Sequence, residues 1–388
     1  MTDFTARLDA LRAHESRDFV ALLAFAAVDA AAYSVIAPAL PTISRQLHAA
    51  PARIGILAAA FSAASIVGFA AAGRLVRRTT TMRILGASLL LMSAGSLGFV
   101  VASGWVAYLV ARAAMGFASG GLWIGIAFAT LERWPGREYL CMSRVLAAYS
   151  IGGLVGPALG AIGGIRGPFA AYLVLVLVGF AVVRTVSPPQ VDRRFEGDRA
   201  ALRLRGFWLA AGGIVFVMLA LGVVEGVLPL HLATHLSQAQ IGAVYVGMSV
   251  IVAASAAAAG FRRPVPMLLA STVLVVVGVG LVGATSSVPI WLLALGVAAI
   301  GVGVANTGSL GVLIETVEPN RIVTAMVIWS QLAMTGYLIG PLGGGALAQA
   351  FGFRTIGLVP LAAAVLLVVA YTSAARGPRG RGPRAELP

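Results

Sequence analysis

Two nine-residue stretches, GGLVGPALG at 152–160 and GYLIGPLGG at 336–344, decide the fold of this chain. Four positions recur at a constant offset of 184 residues, from Gly152, Gly156, Pro157 and Gly160 to Gly336, Gly340, Pro341 and Gly344. A second pair follows in the same order, because Glu132 and Arg137 recur as Glu315 and Arg321 at offsets of 183 and 184. Matching motifs in one order at one offset indicate an internal repeat. Residues 1–190 and 200–388 are therefore predicted to be two versions of one unit.

The segments around both stretches are strongly apolar. Hydrophobic residues make up 59% of the chain and charged residues only 11%, with a mean hydropathy of +0.94. A soluble domain carries about 25% charged residues, so this chain has too few to coat a water-facing surface. The apolar blocks reach the roughly 20 residues that a membrane-spanning helix needs, and they lack the alternation of barrel strands. An all-α integral membrane protein is predicted.

Twelve spans are predicted in two six-helix bundles, at 19–40, 54–76, 82–102, 105–131, 145–165, 168–187, 207–230, 240–260, 265–286, 289–315, 322–349 and 353–375. The polar segment 187–206 is interpreted as a cytoplasmic linker between bundles at 1–186 and 207–375. The Arg/Gly/Pro-rich tail at 376–388 is predicted to be disordered. The first eighteen residues mix acids with arginines, so 19 onward is expected to be a retained helix rather than a signal peptide.

The net charge of +14 comes with a distinct arrangement of the basic residues. All 28 are arginine, and they concentrate in alternate loops, in the 187–206 segment and in the tail. That arrangement follows the positive-inside rule, so both termini are expected in the cytoplasm and the protein in the inner (plasma) membrane. It also explains the charge without a nucleic-acid partner. The lone Cys141 excludes a disulfide within one chain.

Three charged residues fall within predicted spans, where a charge is expensive and marks a functional hypothesis. Asp29 is interpreted either as a cavity carboxylate that carries a proton, or as a structural acid paired with Arg112 or a hydroxyl. Glu225 is either a second cavity acid or a residue of the outer vestibule. Arg112 shares a helical face with Gly116, Ser119 and Trp123. It either controls proton release from a nearby acid or snorkels to the headgroups.

Other candidates are weaker. The cavity polar groups proposed are Tyr33, Trp123, Asn306, Gln331 and Tyr337, each of which could equally serve helix packing. The Gly-Pro motifs are predicted to form a bent helix interface, with generic close packing as the alternative. His48, His231 and His235 are expected at solvated outer loops rather than at a metal. The sequence contains no phosphate-binding loop, clustered metal ligands or nucleophile–base constellation, so neither an enzyme nor a resident cofactor is expected.

These residues together resemble the major facilitator superfamily, in particular its twelve-helix drug/proton antiporters, over essentially the full length. Asp29 stands nine residues before Pro38 and twelve before Pro41, which is similar to the first helix of tetracycline efflux antiporters and vesicular monoamine transporters. Glu225 before Pro229 resembles the vesicular group, and LVARAAMGFASG around Arg112 matches the family's fourth helix. The resemblance implies the major facilitator fold and alternating access driven by protons. Asp29, Arg112 and Glu225 would then couple proton and substrate, and the Gly-Pro helices would form the hinge.

One loop departs from the family's pattern. Arg77 stands where an acid is expected and Thr80 where a glycine is expected. As a substitute latch, Arg77 or Arg78 is predicted to pair with Glu132. In the second half, Arg262 or Arg263 is predicted to pair with Glu315.

The leading functional hypothesis is a monomeric, proton-coupled exporter of a small amphipathic or cationic compound. One alternative is a proton-linked importer or facilitator of a sugar or metabolite. Another is a transporter-like sensor that does not transport.

Overall fold

A computed structural model describes residues 2–76, 78–134, 137–183, 204–259, 264–318 and 321–376. Every regular secondary-structure element among these residues is a helix, and twelve segments are long and apolar enough to cross a membrane. The predicted membrane fold is therefore confirmed. The predicted linker at 187–206 lies almost entirely outside the described residues, as does the tail after Arg376.

Six of the twelve crossings come from the first half of the chain. They are formed by α1 (Thr2–Ser34) with α2 (Leu40–Leu47), α3 (Pro51–Leu75), α4 (Thr81–Val101), α5 (Trp105–Arg133), α6 (Glu138–Gly160) and α7 (Arg166–Val183). The second half supplies α8 (Arg205–Gly226) with α9 (Leu228–Leu232), α10 (Gln238–Ala259), α11 (Pro264–Ala284), α12 (Val288–Thr316), α13 (Ile322–Phe351) and α14 (Leu358–Arg376). The first helix begins at Thr2, well before the predicted start of the first membrane span at 19. The polar N-terminal residues extend this helix beyond the apolar segment, which begins at Arg17.

The first crossing of each half is broken near its far end. Beyond Ser34, a 3₁₀ helix at Ala37–Ala39 leads into α2, and Pro38 has no N–H to offer the Ser34 carbonyl. In the second half, α8 ends at Gly226, and Pro229 likewise leaves the Glu225 carbonyl without its helical donor. The single spans predicted at 19–40 and 207–230 are therefore each two helices.

The Gly-Pro stretches lie in the fifth crossing of each half, α6 and α13. They pack α6 against α1 and α13 against α8. A methyl group at Gly152 would overlap the Ala27 carbonyl of α1, and one at Gly336 would overlap the Val215 carbonyl of α8. Both helices continue through their internal prolines, Pro157 and Pro341. Small residues here allow backbone-to-backbone approach, so the two halves repeat in structure as in sequence.

The two halves meet mainly through two helix pairs, α3 with α13 and α6 with α10. Close approach occurs where α3 and α10 begin: Gly55 lies against the Pro341 carbonyl and Gly242 against the Pro157 carbonyl. We call this end of the bundle the sealed side. The opposite end, where α7 ends and α8 begins, is called the linker side.

Candidate functional site

A cavity of about 390 Å³ lies between the two halves. It extends towards the linker side, because Ala256 and Ala257 in its wall lie within the last turn of α10. The first half lines it with Asp29, Ser65, Ser119, Trp123, Leu146, Ala147, Tyr149 and Ser150. The second half adds Ile214, Met218, Ala256, Ala257, Asn306, Thr307, Leu310, Trp329, Ser330, Gln331, Ala333, Met334 and Tyr337. Among the lining residues described, Asp29 has the one acidic side chain, and none has a basic one.

Asp29 projects from α1 into this cavity and is otherwise buried, with 3% of its surface exposed. The Ser119 side chain on α5 interacts with its carboxyl group. One carboxyl oxygen has no hydrogen-bond partner in the described part of the chain. A buried polar atom without a partner is uncommon and calls for an explanation, and here that atom belongs to a residue of the cavity wall.

Arg112 does not pair with Asp29 and does not snorkel to the headgroups. It is 1% exposed, and its two terminal nitrogens donate to the carbonyls of Ala32 (2.8 Å) and Tyr33 (2.9 Å). Its guanidinium lies over the Phe61 ring, 4.4 Å from the centroid. Because α1 ends at Ser34, these carbonyls are among those that a helix end leaves without donors. The arginine therefore caps α1 just before its break, and its charge suits a helix C-terminus.

Glu225 does not line the described cavity, and its predicted alternative place in an outer vestibule stays a prediction. It is absent from the described cavity wall, which α8 supplies only at Ile214 and Met218. Instead it is close enough to Tyr33, Tyr245 and Tyr337 to interact with them electrostatically, and to Arg112 as well. One of its oxygens is buried without a hydrogen-bond partner among the described residues. Glu225 is thus a second acid, half-buried, beyond the described cavity and nearer the sealed side.

Two tyrosines from opposite halves meet between these acids. The rings of Tyr33 on α1 and Tyr337 on α13 have centroids 3.9 Å apart. Tyr337 lines the cavity, whereas Tyr33 packs behind it against Phe61 and is not part of the described wall. We call this contact the tyrosine roof, since Asp29 lies one helical turn below Tyr33 on the linker side.

The remaining predicted polar groups fall in the cavity wall. Trp123, Asn306 and Gln331 all line it, and the Trp123 indole nitrogen and the Gln331 carbonyl oxygen are buried without partners among the described residues. Sequence reasoning did not single out Tyr149, Thr307, Trp329 and Ser330, which also line it. Trp329 and Ser330 directly precede Gln331 on α13, but an aromatic residue in an apolar helix gives no signal of its own in sequence.

The predicted latch residues are only partly described. Arg77, Arg262 and Arg263 lie outside the described residues. Arg78 and Glu315 are exposed, and both Glu132 oxygens accept from the Thr81 hydroxyl at 2.9 Å. The pairing of these arginines with Glu132 and Glu315 stays a prediction.

One histidine departs from the expectation of solvated outer loops. His48 and His235 are exposed, but His231 is half-buried between the rings of Trp291 and Phe353, with centroids 4.8 and 4.9 Å away. Its Nε2 lies 3.2 Å from the Thr285 carbonyl. His231 therefore ties α9 to the start of α12. No cluster of metal ligands occurs among the residues described.

Two broken first crossings, two Gly-Pro helices and a cavity between the halves define a class of protein, the two-bundle membrane transporter. The sequence matches the family model for the Major Facilitator Superfamily over residues 22–263 and 210–387. The chain belongs to that superfamily, whose members are transporters, and it is a multi-pass membrane protein. No match was found among curated protein sequences.

Solved structures of the same fold are similar to this chain at low sequence identity. A bacterial homologue of the human lysosomal transporter Spinster, in an inward-facing and occupied conformation, has a TM-score of 0.77 at 15% identity, covering 94% of this chain and 97% of its own. The nucleoside transporter NupG has a TM-score of 0.68 at 13% identity, covering 92% and 99%. The human organic anion transporter MFSD10 (TETRAN) has a TM-score of 0.62 at 17% identity, covering 91% and 99%. These likenesses concern the fold alone, since none of the three exceeds 17% sequence identity.

Proposed function

We propose that this transporter is a proton-coupled antiporter that exports a small amphipathic, cationic compound. The observation that carries the proposal is the single acidic side chain in the described cavity wall, Asp29. A carboxylate in a largely apolar site needs a counter-charge or a proton, because an isolated charge there is costly. A proton and an organic cation would meet that need alternately.

The rest of the wall suits an aromatic or aliphatic cation. Trp123, Tyr149 and Trp329 offer ring faces that attract cations, and Met218 and Met334 offer adaptable, polarisable contacts. An anionic substrate would face Asp29 with no described cationic side chain in the wall to receive it. This argument selects a cation over an organic anion, the class named for one structural relative.

The antiport cycle follows from competition for one carboxylate. In the state described, the sealed side is closed by α3 with α13 and α6 with α10, and Asp29 faces the linker side. Substrate would displace the proton of Asp29 there, the halves would rock, and a proton from the opposite side would release the substrate. Glu225, beyond the tyrosine roof, is the candidate for a second acid that passes this proton to Asp29.

The membrane orientation is part of the same proposal. Exposed arginines crowd the linker side, at Arg74, Arg78, Arg83, Arg137 and Arg144, whereas the sealed side has Arg45, Arg53, Arg166 and Arg354. The positive-inside rule then places the linker side in the cytoplasm of the inner membrane. A cavity open to the cytoplasm is where an exporter collects its substrate. The cycle needs no second copy and no cofactor other than protons.

The test is a proton-flux assay in proteoliposomes that contain a pH-sensitive dye. Ethidium and tetraphenylphosphonium are the cationic probes, and a neutral sugar and a nucleoside are the comparison compounds. Wild-type protein should release protons when a cation is added, and Asp29→Asn should abolish that release. Ser150→Ala, an exposed change in the same cavity wall, is the matched control and should retain it.

Other results would favour the alternatives. Proton-linked uptake of the sugar or nucleoside, with no cation response, would replace the exporter with a metabolite importer or facilitator. Binding without flux of any compound would indicate a transporter-like sensor. Cation-driven proton release that persists in Asp29→Asn would remove Asp29 from the coupling role.

A further inference from the structure

A second cavity lies on the outer surface of the first half, away from the substrate cavity. Helices α3 and α4 each pack along α5 but hardly touch one another, so a groove of about 350 Å³ remains between them. Small residues form much of its lining, at Gly68, Ala71, Ala72, Ala118 and Gly121. Leu75 and Phe117 on its rim are 52% and 38% exposed, so the groove opens to the surroundings of the bundle.

The groove is apolar along its length and polar at one end. On α4 its lining extends from Arg83 to Leu91, eight residues or about 12 Å of helix. Most of that length lies in a crossing segment, where the surroundings are lipid hydrocarbon. Arg83 and Thr79 line the linker-side end, which the first turn of α4 places at the depth of the headgroups.

Arg83 is the one charged residue in the described groove lining, and Glu132, whose carboxylate accepts from the Thr81 hydroxyl, lies outside that lining. Arg74 and Arg78 are exposed near Arg83, at the end of α3 and in the turn that follows it. Between residues 30 and 131 the sequence contains no aspartate or glutamate, so neither wall of the groove nor its floor offers a carboxylate. The mouth therefore combines an exposed arginine cluster with an apolar slot, an arrangement that matches an anionic headgroup joined to an acyl chain.

We propose that this groove binds an anionic phospholipid, with the phosphate at Arg83 and one acyl chain along the surface of Ala118 and Gly121. Charge complementarity selects the anionic lipid. A zwitterionic headgroup carries its own cationic group, which the exposed arginines would repel. Where the acyl chain would lie, the largest side chain on the floor of the groove is the Ala118 methyl group. The slot therefore leaves room for the acyl chain between α3 and α4. This site is independent of the substrate cavity.

The test measures lipid binding to the full-length protein in detergent by native mass spectrometry. The probes are palmitoyl-oleoyl phosphatidylglycerol and the matching phosphatidylcholine. Wild-type protein should retain phosphatidylglycerol in preference to phosphatidylcholine. Arg83→Gln should weaken phosphatidylglycerol binding about five-fold, the effect of one basic residue near a membrane surface. Ala87→Phe should weaken it at least as much, because Ala87 is an exposed residue of the groove that a ring would fill.

Two control variants isolate the groove. Arg144→Gln removes an exposed arginine of the same side, and Ala181→Phe adds a ring at an exposed position of α7, and neither residue lines the groove. Both should bind phosphatidylglycerol as wild-type protein does. Equal retention of the two lipids by wild-type protein would overturn the proposal. Unchanged phosphatidylglycerol preference in both Arg83→Gln and Ala87→Phe would also overturn it, since one variant acts on the headgroup and the other on the acyl chain.

Discussion

Gln238, the first residue of α10, donates its side-chain amide to the Gly160 carbonyl at the end of α6, across the two halves of the protein (2.9 Å). The same amide also lies within hydrogen-bonding distance of the Ile162 and Gly164 carbonyls. Its oxygen accepts from the Thr42 hydroxyl at 2.9 Å and from the Gly164 N–H at 3.2 Å. One side chain thus fastens the second half to α2 and to the turn after α6. These bonds must break whenever the sealed side opens.

Gln238→Ala is expected to weaken the closure of the sealed side. Each lost hydrogen bond contributes about 0.5–1.5 kcal/mol, so the closed state should lose about 1–2 kcal/mol relative to the open one. The measurement is labelling of a cysteine at Thr307 in the cavity wall by an impermeant maleimide added from the sealed side, with Cys141 replaced by serine. Labelling should be several-fold faster than in the parent protein.

Gln240→Ala is the matched control, because among the described residues the Gln240 side chain bonds to Ser237, the residue just before its own helix. It should label as the parent protein does. Equal labelling rates for Gln238→Ala and Gln240→Ala would show that the Gln238 bonds do not hold the halves together.

Gly242→Leu is expected to hold the sealed side open. A side chain at Gly242 would collide with the Pro157 carbonyl and with Ala161, so α10 and α6 could not reach their present separation. Spin labels are placed at Gln46 and Gln240, both exposed on the sealed side. The distance between them, measured by pulsed electron paramagnetic resonance, should be longer in Gly242→Leu than in the parent protein. Gly247→Leu on the same helix is the control, because nothing lies near a methyl group at that position. A distance distribution shared by the two variants would argue against close backbone contact as the seal.

Arg112→Ala is expected to destabilise the first half and to abolish transport. It leaves the buried carbonyls of Ala32 and Tyr33 without their donor, at about 1–3 kcal/mol for each group. Arg112→Lys keeps the charge but lacks the planar fork that reaches two carbonyls, so it should recover only part of the stability. Thermal unfolding in detergent is the measurement, and Arg144→Gln is the exposed-arginine control. Full stability in Arg112→Lys would assign the role to charge alone.

Asp18→Asn is expected to be strongly destabilising through its partner Arg133. The two form a salt bridge in which the side chains are only 8% and 9% exposed. Burial lowers the pKa of Arg133, and the Asp18 carboxylate opposes that shift by favouring the charged guanidinium. Removing the carboxylate should lower the free energy of unfolding by about 3 kcal/mol, the lower end for a buried ion pair, because Arg133 loses its hydrogen-bonded carboxylate while Glu132 stays near it.

The double variant Asp18→Asn with Arg133→Met provides the complementary measurement. It removes both charges, so it should unfold at a higher temperature than Asp18→Asn alone. If the double variant were the less stable of the two, the penalty would arise from lost packing around Arg133 rather than from the lost Asp18 carboxylate.

The number, type and approximate position of the helices follow from the sequence by itself. Each spanning segment must be long enough and apolar enough for the membrane interior, and it must satisfy its own backbone hydrogen bonds there. This requirement applies to each segment separately, so it can be seen in sequence. The repeat from Gly152 to Gly336 likewise revealed two related halves, because close helix packing requires small residues at fixed spacing. Asp29 was identified for the same local reason, since a charge in an apolar segment is conspicuous wherever its neighbours lie.

Only the tertiary structure decided which groups these residues face. Helical spacing places Arg112 on a stripe with Gly116, but it does not show that the stripe meets the end of α1 and two free carbonyls. It also does not show that the tyrosine roof separates Glu225 from the cavity, or that Gln238 reaches across to Gly160. Each of these contacts joins segments far apart in the chain, and their geometry depends on how whole helices pack. A periodic sequence specifies a helical face, and packing alone determines what that face touches.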